Sequence, residues 1–261
     1  FTERAVSAYE RAGVSDGLDQ PGLSLAENLR RIASVPLGYP PGEGWSYSVA
    51  LDVLGGVMQA ASGATLPELV ARHVTEPLGM ADTAFHCVDV ARLVTPYQDN
   101  PAPHGPPLRM GELAEVRLGH GIGRFAPGRL FDPASFPSGG GGMTGTAPDF
   151  MHFLHSLHGH APAPLPADTL ALMQRDQTGP QRSAFLGPGW VFGYGWAILA
   201  NPAKMRSPQS AGTLQWGGAY GHHWFYDLAR DLAVVALTNT TFEGMAGAFP
   251  FHLRNAVYAA G

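Results

Sequence analysis

The sequence predicts an α+β protein with an antiparallel sheet. Between residues 24 and 77, apolar residues recur at helical spacing behind capping signals, whereas short β-rich segments follow one another from residue 190 onward. These two kinds of segment do not alternate, as they would in a parallel sheet with crossover helices. Apolar residues form 45% of the 261 residues, which is enough for a substantial core.

Two of three helices predicted in the first third begin at a capping box. In this motif a hydroxyl and a glutamate three residues later satisfy free backbone amides. The sequence SLAE at Ser24 begins the first helix and TLPE at Thr65 begins the third, while Pro36 and Pro77 end them. The residues predicted to face inward are Leu25, Leu29 and Ile32 in the first helix, and Leu69, Val70 and Val74 in the third.

The second helix is predicted between these two. Ser48 is its expected N-cap, and Gly63 is expected to end it in a left-handed conformation. Its apolar residues at helical spacing, which we expect to face the core, are Val49, Val53, Val57 and Met58.

The middle of the chain changes character twice. Residues 87 to 137 are rich in Pro, Gly and Arg with little periodicity, so long loops with short strands are expected there. A glycine run from Ser138 to Gly142 then precedes Thr146, which is the predicted N-cap of a helix. The apolar face of that helix holds Phe150, Phe153, Leu154 and Leu157.

The last third predicts strands and a final helix. The strands are expected at Trp190 to Leu199, His222 to Asp227 and Leu232 to Asn239. The helix runs from about Ala246 to Ala260 and contains Pro250, where we expect a bend.

Bulk composition argues against several partners. The net charge of −5 and the lack of a basic stripe argue against nucleic acid. No apolar run is long enough to span a bilayer, so no membrane partner is expected. Cys87 is the only cysteine, which excludes an internal disulfide. The compartment stays open, with the cytoplasm slightly favoured over the periplasm or secretion.

Common hydrolase and metal motifs do not explain the chain. The nucleophile elbow of α/β-hydrolases is not expected here. Lys204 is the only lysine and Asn201 stands three residues before it, so the chain holds no Ser-x-x-Lys. Four histidines have spacings that can bind zinc or nickel, but no carboxylate or cysteine completes the set. We therefore expect a solvated helix face, no metal and no other cofactor; these histidines are His152, His155, His158 and His160.

Tyr47 lies between two serines inside the phrase PPGEGWSYSVALDVLGGVMQAASG. Together with SGGGGMTGTAPDFMHFLHSL, GTLQWGGAYGHHWFYD and VVALTNTTFEG, this phrase resembles the serine β-lactamase and penicillin-binding protein superfamily. Within it, the chain is most similar to carboxylesterases related to class C β-lactamases, the family VIII esterases. The resemblance implies a helix-flanked antiparallel sheet beside an all-helical region. It implies one catalytic region, helical and loop-rich at about 24–189, with strands and the last helix at 190–261.

The resemblance also implies roles for particular residues. The family uses Ser-x-x-Lys, Tyr-x-Asn and a third motif whose esterase form is Trp-Gly-Gly, and Tyr47 and Trp216 begin the last two. It implies that the nucleophilic serine lies before Phe1, on an N-terminal segment that this chain lacks, and that Tyr47 is the base. Gly218 lets the strand approach the acyl group, and the amide of Ala219 is one oxyanion donor. Our candidates for binding substrate are Val49, Tyr220 and His222. His222 and His223 follow the third motif, and we expect one of the two to face the site.

Two departures from the β-lactamases change the expected substrate. Val49 stands where an asparagine would hold a substrate amide, and Trp216 replaces the cation that pairs with the β-lactam carboxylate. Both departures favour neutral, apolar esters, although Val49 is also explained as an ordinary apolar residue at a helix start and Trp216 as a core residue of a strand. Four aromatic residues fit either an apolar acyl pocket or the core: Trp45, Tyr220, Trp224 and Phe225.

The expected function is therefore a carboxylesterase that acts on small apolar esters through an acyl-serine intermediate. The alternatives are a non-catalytic remnant or binding module of the same fold, a β-lactamase or D,D-peptidase, and a metal-dependent hydrolase. Missing first strands would leave an exposed sheet edge that favours association. We therefore expect either that the missing segment is present in the whole protein or that something else covers this edge, for which a homo-oligomer is one possibility.

Overall fold

The computed structural model describes residues 8–102, 105–118, 121–159, 163–179 and 187–260. The chain divides into two compact units. The first unit comprises residues 1–41, 46–76 and 81–145, and the second unit comprises residues 42–45, 77–80 and 146–261. The expectation of one catalytic region divided near residue 190 stays a prediction.

Helices lead into short hairpins in the first unit. The helices are α1 (Leu25–Ala33), α2 (Ala50–Ser62) and α3 (Leu66–Val70), which continues into a π turn at Ala71–Thr75. Antiparallel pairs form between β1 (Tyr97–Gln98) and β2 (Leu108–Arg109), and between β3 (Ala114–Leu118) and β4 (Gly121–Phe125). Single 3-10 turns lie at Val90–Arg92 and Pro127–Phe131. The predicted loops with short strands are thus confirmed.

Both predicted N-caps are confirmed, but the capping box forms only at α3, because the Glu27 carboxylate of α1 binds Arg30 and Arg31 instead. The Ser24 hydroxyl accepts a hydrogen bond from the Glu27 amide at the start of α1. At α3, Thr65 and Glu68 form a reciprocal capping box, with the Thr65 amide 2.8 Å from Glu68 Oε2. These bonds satisfy amides that no helical carbonyl can reach, so local sequence alone places the two helix starts.

The predicted N-cap of α2 is wrong. The helix begins one residue later than expected, and its N-cap is Val49, which offers no side-chain bond. The Val49 carbonyl accepts from the amides of Asp52 (3.0 Å) and Val53 (3.3 Å). Ser48 therefore lies outside the cap position. Gly63 ends the helix in a left-handed conformation, as predicted.

The predicted apolar face of α2 is also wrong. Val53, Val57 and Met58 are 37%, 58% and 39% exposed, whereas Asp52 and Gly55 are buried. Glycine decides which face packs, because a Cβ at Gly55 would lie 3.0 Å from Leu66 and one at Gly56 would lie 2.6 Å from Leu29. Helices α1 and α3 therefore pack against the glycine side of α2, and Val53 and Val57 face solvent.

Asp52 ties α2 to the glycine run that begins at Ser138. Asp52 Oδ1 accepts from the Ser138 hydroxyl at 2.7 Å and from the Gly140 amide at 3.4 Å. The Ser138 oxygen accepts from the amides of Gly140 and Gly141, both at 3.2 Å. Burial raises the pKa of Asp52, while the bonds from Ser138, Gly140 and Gly139 and the charge of Arg129 oppose the rise.

We expect Asp52→Ala to destabilise the protein by about 2–3 kcal/mol, because it leaves the buried Ser138 hydroxyl without its acceptor and removes one of the two acceptors of the Gly140 amide. Asp52→Asn keeps an oxygen for both donors, so its cost should be smaller by about 1 kcal/mol or more. Urea unfolding at pH 7 measures both variants. Equal losses in the two variants would contradict this account.

The second unit is built around one antiparallel sheet with strand order β5-β6-β7-β8-β9. Its strands are β5 (Trp190–Phe192), β6 (Ala197–Leu199), β7 (Leu214–Gly218), β8 (His222–Asp227) and β9 (Leu232–Leu237). Its helices are α4 (Ala147–Ser156), α5 (Ala167–Met173), α6 (Pro202–Met205), α7 (Glu243–Ala246) and α8 (Phe249–Ala259). The predicted α+β class with an antiparallel sheet is confirmed.

Two boundaries predicted in this unit are wrong. The strand expected from Trp190 to Leu199 is a hairpin, because Gly195 takes a φ of 113° and the Gly193 amide donates to the Trp196 carbonyl at 2.9 Å. The final helix begins at Phe249 rather than near Ala246, which instead ends the short helix α7. Pro250 lies in the first turn of α8, where no helical hydrogen bond needs its missing N–H, so it causes no bend.

Two of the four aromatic residues that fitted either an acyl pocket or the core lie in the core of the second unit. Trp224 is 9% exposed and Phe225 is fully buried. Both belong to the core rather than to a binding surface. The cluster that includes Trp224 joins helix α4 to the sheet through Leu154, Leu157, Trp196, Leu214 and Tyr226.

Candidate active site

The predicted site residues fall into two groups, one in each unit. Tyr47 and Val49 lie half-buried just before α2 in the first unit. The second unit brings the other five together on the β7–β8 hairpin. They are Trp216, Gly218, Ala219, Tyr220 and His222.

The turn of this hairpin orients the Ala219 amide. The Gly221 amide donates to the Gly218 carbonyl at 2.9 Å, and Gly221 has a φ of 110°, which favours glycine. In a trans peptide the N–H points opposite to the C=O, so the Ala219 N–H points away from the turn. Within the described part of the chain this N–H donates no hydrogen bond. The Ala219 carbonyl is held by the Phe242 amide at 2.9 Å.

The imidazole of His222 covers Gly218. The two residues face each other across the β7–β8 ladder, and a Cβ at Gly218 would lie 2.9 Å from His222 Nδ1. Burial lowers the pKa of His222, which favours the neutral imidazole. The site group in the second unit is therefore an outward backbone amide beside a neutral, half-buried ring.

Trp216 stands in a row of aromatic rings. Its ring centroid lies 5.0 Å from that of Phe192, which lies 5.1 Å from that of Trp45. Sequence reasoning missed Phe192, because its place beside Trp216 depends on the pairing of β5, β6 and β7. Local pattern marks it only as a strand residue.

His223 points away from these groups into the protein. It is 3% exposed, and burial lowers its pKa from 6.5 to about 4, although a hydrogen bond with the Gly244 backbone opposes the change. The unfolded chain therefore binds more protons than the folded protein between these two pH values.

Stability should consequently fall as the pH is lowered from 6.5 to 4, by about 3 kcal/mol from this one group. His223→Gln is expected to flatten this part of the profile, whereas the control His252→Gln changes an exposed residue and should leave it unaltered. Urea unfolding across pH 4–7 measures the difference. A His223→Gln profile as steep as the parent's would refute the assignment.

One Gly-x-Ser-x-Gly sequence, GVSDG from Gly13 to Gly17, was overlooked in the expectation of no nucleophile elbow. Ser15 is fully buried, and its hydroxyl donates to Asp19 Oδ1 at 2.5 Å. It also accepts from the Gly17 amide at 3.1 Å. A serine without exposure that donates its proton to a carboxylate is a structural group, so this motif makes no elbow.

The described part of the chain contains no group of three or more His, Cys, Asp or Glu residues that could hold a metal ion. His152 and His158 are exposed as expected, whereas His155 is half-buried, and His160 lies outside the described residues. No helix among the described residues is long and apolar enough to cross a bilayer. The preference for the cytoplasm stays a prediction.

Comparison with known proteins agrees with these observations. The sequence model of the beta-lactamase family matches residues 6–258. Esterase EstB of Burkholderia gladioli is 48% identical over 260 residues, which cover 98% of this chain and 65% of that protein. Lovastatin esterase of Penicillium rubens is 30% identical over 227 residues, or 79% of this chain and 53% of that protein.

Solved structures give the same result. The structure of EstCE1, described as a hydrolase with promiscuous acyltransferase activity, matches with a TM-score of 0.88 and 42% identity. The match covers 96% of this chain and 66% of EstCE1. The present chain thus spans about two thirds or less of the length of these relatives. Sequence and fold together show that the chain belongs to the beta-lactamase family.

Proposed function

We propose that this chain forms part of a serine carboxylesterase that hydrolyses neutral, apolar esters. The observation that carries the proposal is the β7–β8 hairpin, in which the N–H of Ala219 points outward from the turn. The same hairpin carries Trp216 at the position where β-lactamases have a cation. The 48% identity to Esterase EstB supports the same reaction class. A β-lactamase or D,D-peptidase is less favoured, because Val49 and Trp216 offer no amide or positive charge to an anionic amide substrate.

The nucleophile is proposed to lie outside these 261 residues, as the shorter span relative to EstB allows. Its hydroxyl proton passes to Tyr47 as the serine oxygen bonds the ester carbonyl carbon. Tyr47 then gives that proton to the departing alkoxide. In the second half-reaction, water gives a proton to Tyr47 and attacks the acyl carbon, and Tyr47 returns that proton to the departing serine oxygen. A free tyrosine has a pKa of about 10, so a neighbouring cation must favour its phenolate.

The Ala219 amide is proposed to stabilise the oxyanion that forms at each addition step. Because the Gly218–Ala219 peptide is trans and its carbonyl is fixed in the turn, the Ala219 N–H already points outward before substrate binds. The backbone therefore does not have to reorganise during the reaction. Loss of one such donor typically raises the barrier by about 3 kcal/mol.

Acyl transfer to an alcohol is a second candidate function. The apolar row of Trp45, Phe192 and Trp216 would favour an alcohol over water as the acceptor, and EstCE1 is described as having promiscuous acyltransferase activity. Product analysis with vinyl acetate and benzyl alcohol distinguishes the two. Benzyl acetate would form in water only if the alcohol competes for the acyl-serine.

A homo-oligomer is proposed for the case in which the segment outside these residues does not pair with the sheet edge. Strand β9 is apolar throughout, and among the described strands it pairs only with β8. An unpaired apolar strand edge promotes association. Light scattering of the full-length protein would show a monomer if this part of the proposal is wrong.

A fluorophosphonate probe tests the proposed nucleophile. The 261-residue chain and the full-length protein are treated in parallel, and intact mass is read. We expect an adduct on the full-length protein only. An adduct on the short chain, traced to Ser15 by its loss in Ser15→Ala, would overturn the assignment. No adduct on either would favour the non-catalytic alternative.

A further inference from the structure

Three partly exposed aromatic rings form one continuous row in the second unit, which we name the aromatic cluster: Trp45, Phe192 and Trp216. Phe192 is its centre. Its ring lies 5.1 Å from that of Trp45 at an interplanar angle of 47°, and 5.0 Å from that of Trp216 at 75°. Such tilted and edge-on pairs are the arrangements that aromatic rings prefer.

The cluster rests on a rigid base. Phe192 and Trp216 pack against the buried residues Trp190, Ala197 and Leu199, and Met205 joins the same contact. The Phe192 carbonyl is fixed as well, since it accepts from the Gln177 amide at 2.8 Å. Each of these aromatic side chains has only two torsion angles, and the packing already holds them. Little conformational entropy is therefore lost when a ligand binds.

The cluster differs from the aromatic core of the same unit. Trp196 and Trp224, which also pack edge to face, are only 4% and 9% exposed. In contrast, all three members of the cluster remain partly accessible although they stack on one another. The cluster therefore presents ring surface that a ligand can contact, which the two buried tryptophans do not.

We propose that the aromatic cluster binds an aryl group of the ester and that Phe192 is a specificity-determining residue. The inference rests on the proposed function, because Trp216 belongs to the hairpin that carries the oxyanion donor. An aryl ring can continue the row of tilted and edge-on ring contacts, whereas a short alkyl group cannot. The same ring contacts can form whether the aryl group belongs to the alcohol part or to the acyl part of the ester.

The test compares three esters that place the ring differently: ethyl acetate, benzyl acetate and ethyl phenylacetate. In the full-length protein, Phe192→Leu should lower kcat/KM for at least one aryl ester by about three- to tenfold. Ethyl acetate should change by less than about twofold. Each variant is compared with the parent on the same ester, so differences in intrinsic reactivity cancel. Loss with benzyl acetate places the ring on the alcohol side, and loss with ethyl phenylacetate on the acyl side.

Phe150→Leu is the matched control. Phe150 is also half-buried, and its ring lies 5.6 Å from that of Trp224 in the core against which Trp216 also packs. Its loss therefore tests whether a packing defect near the cluster is enough to change the preference. It should lower the Tm without changing the ratio between esters. If Phe192→Leu does not fold, Trp45→Leu at the end of the row carries the same comparison.

The outcomes separate the two proposals. If the parent turns over all three esters and folded Phe192→Leu loses kcat/KM equally on all of them, or on none, the role of the cluster is overturned but the proposed function is not. Absence of turnover on every ester in the parent protein overturns the proposed function, and the role of the cluster with it.

Discussion

Replacing Tyr47 by Phe in the full-length protein is expected to lower kcat for ester hydrolysis by about 10²–10⁴-fold, the usual contribution of one acid–base group. Phenylalanine keeps the ring but removes the oxygen that takes the serine proton and returns it to the alkoxide. Both acylation and deacylation lose the same group, so no choice of substrate should restore the rate. Steady-state kinetics with ethyl acetate measures the effect.

Tyr39→Phe is the control for this change. Tyr39 lies in the same unit, is 38% exposed, and has no assigned role. It should retain parental kcat and Tm. Tyr47→Phe with intact turnover would show that Tyr47 is not the base. A drop in Tm matching the drop in kcat would indicate a structural role instead.

Gly244→Ala is expected to be the most damaging single methyl addition in the second unit. A Cβ at Gly244 would fall on the carbonyl oxygen of Gly221, which the Thr238 hydroxyl already holds in place. Helix α7 would have to move off the hairpin, and overpacking of this kind costs about 1–3 kcal/mol or more. Because Gly221 closes the turn that orients Ala219, we expect kcat to fall together with stability.

Gly111→Ala provides the comparison. Nothing lies within 4 Å of a Cβ at that position, so its effect on stability should stay within about 0.5 kcal/mol. Thermal unfolding and ester turnover are measured on both variants. A Gly244→Ala protein with parental Tm would mean that α7 does not rest on the turn as described.

Features that depend on neighbouring residues were predictable. Ser24, Thr65 and Thr146 cap their helices because each hydroxyl reaches an amide within the next three residues. Gly63 ends α2 because glycine tolerates the left-handed conformation. The long phrases around Tyr47 and Trp216 were also sufficient to identify the family, which the comparisons confirmed.

Features that depend on distant residues were not predictable in this way. The outward face of α2 was misassigned because apolar spacing could not show that Leu29 and Leu66 pack against its glycines. Phe192 was overlooked because only the register of three strands brings it to Trp216. Trp224 and Phe225 were ambiguous until the sheet showed both to be buried.

The sequence by itself determined the fold class, the helix starts at Ser24, Thr65 and Thr146, the family and the residue types on which acyl transfer would depend. The tertiary structure alone decided which apolar side chains are covered, how the Ala219 amide points and which aromatic rings meet. The reason is physical: caps and turns are short-range hydrogen bonds, whereas burial and ring contacts depend on segments far apart in the chain.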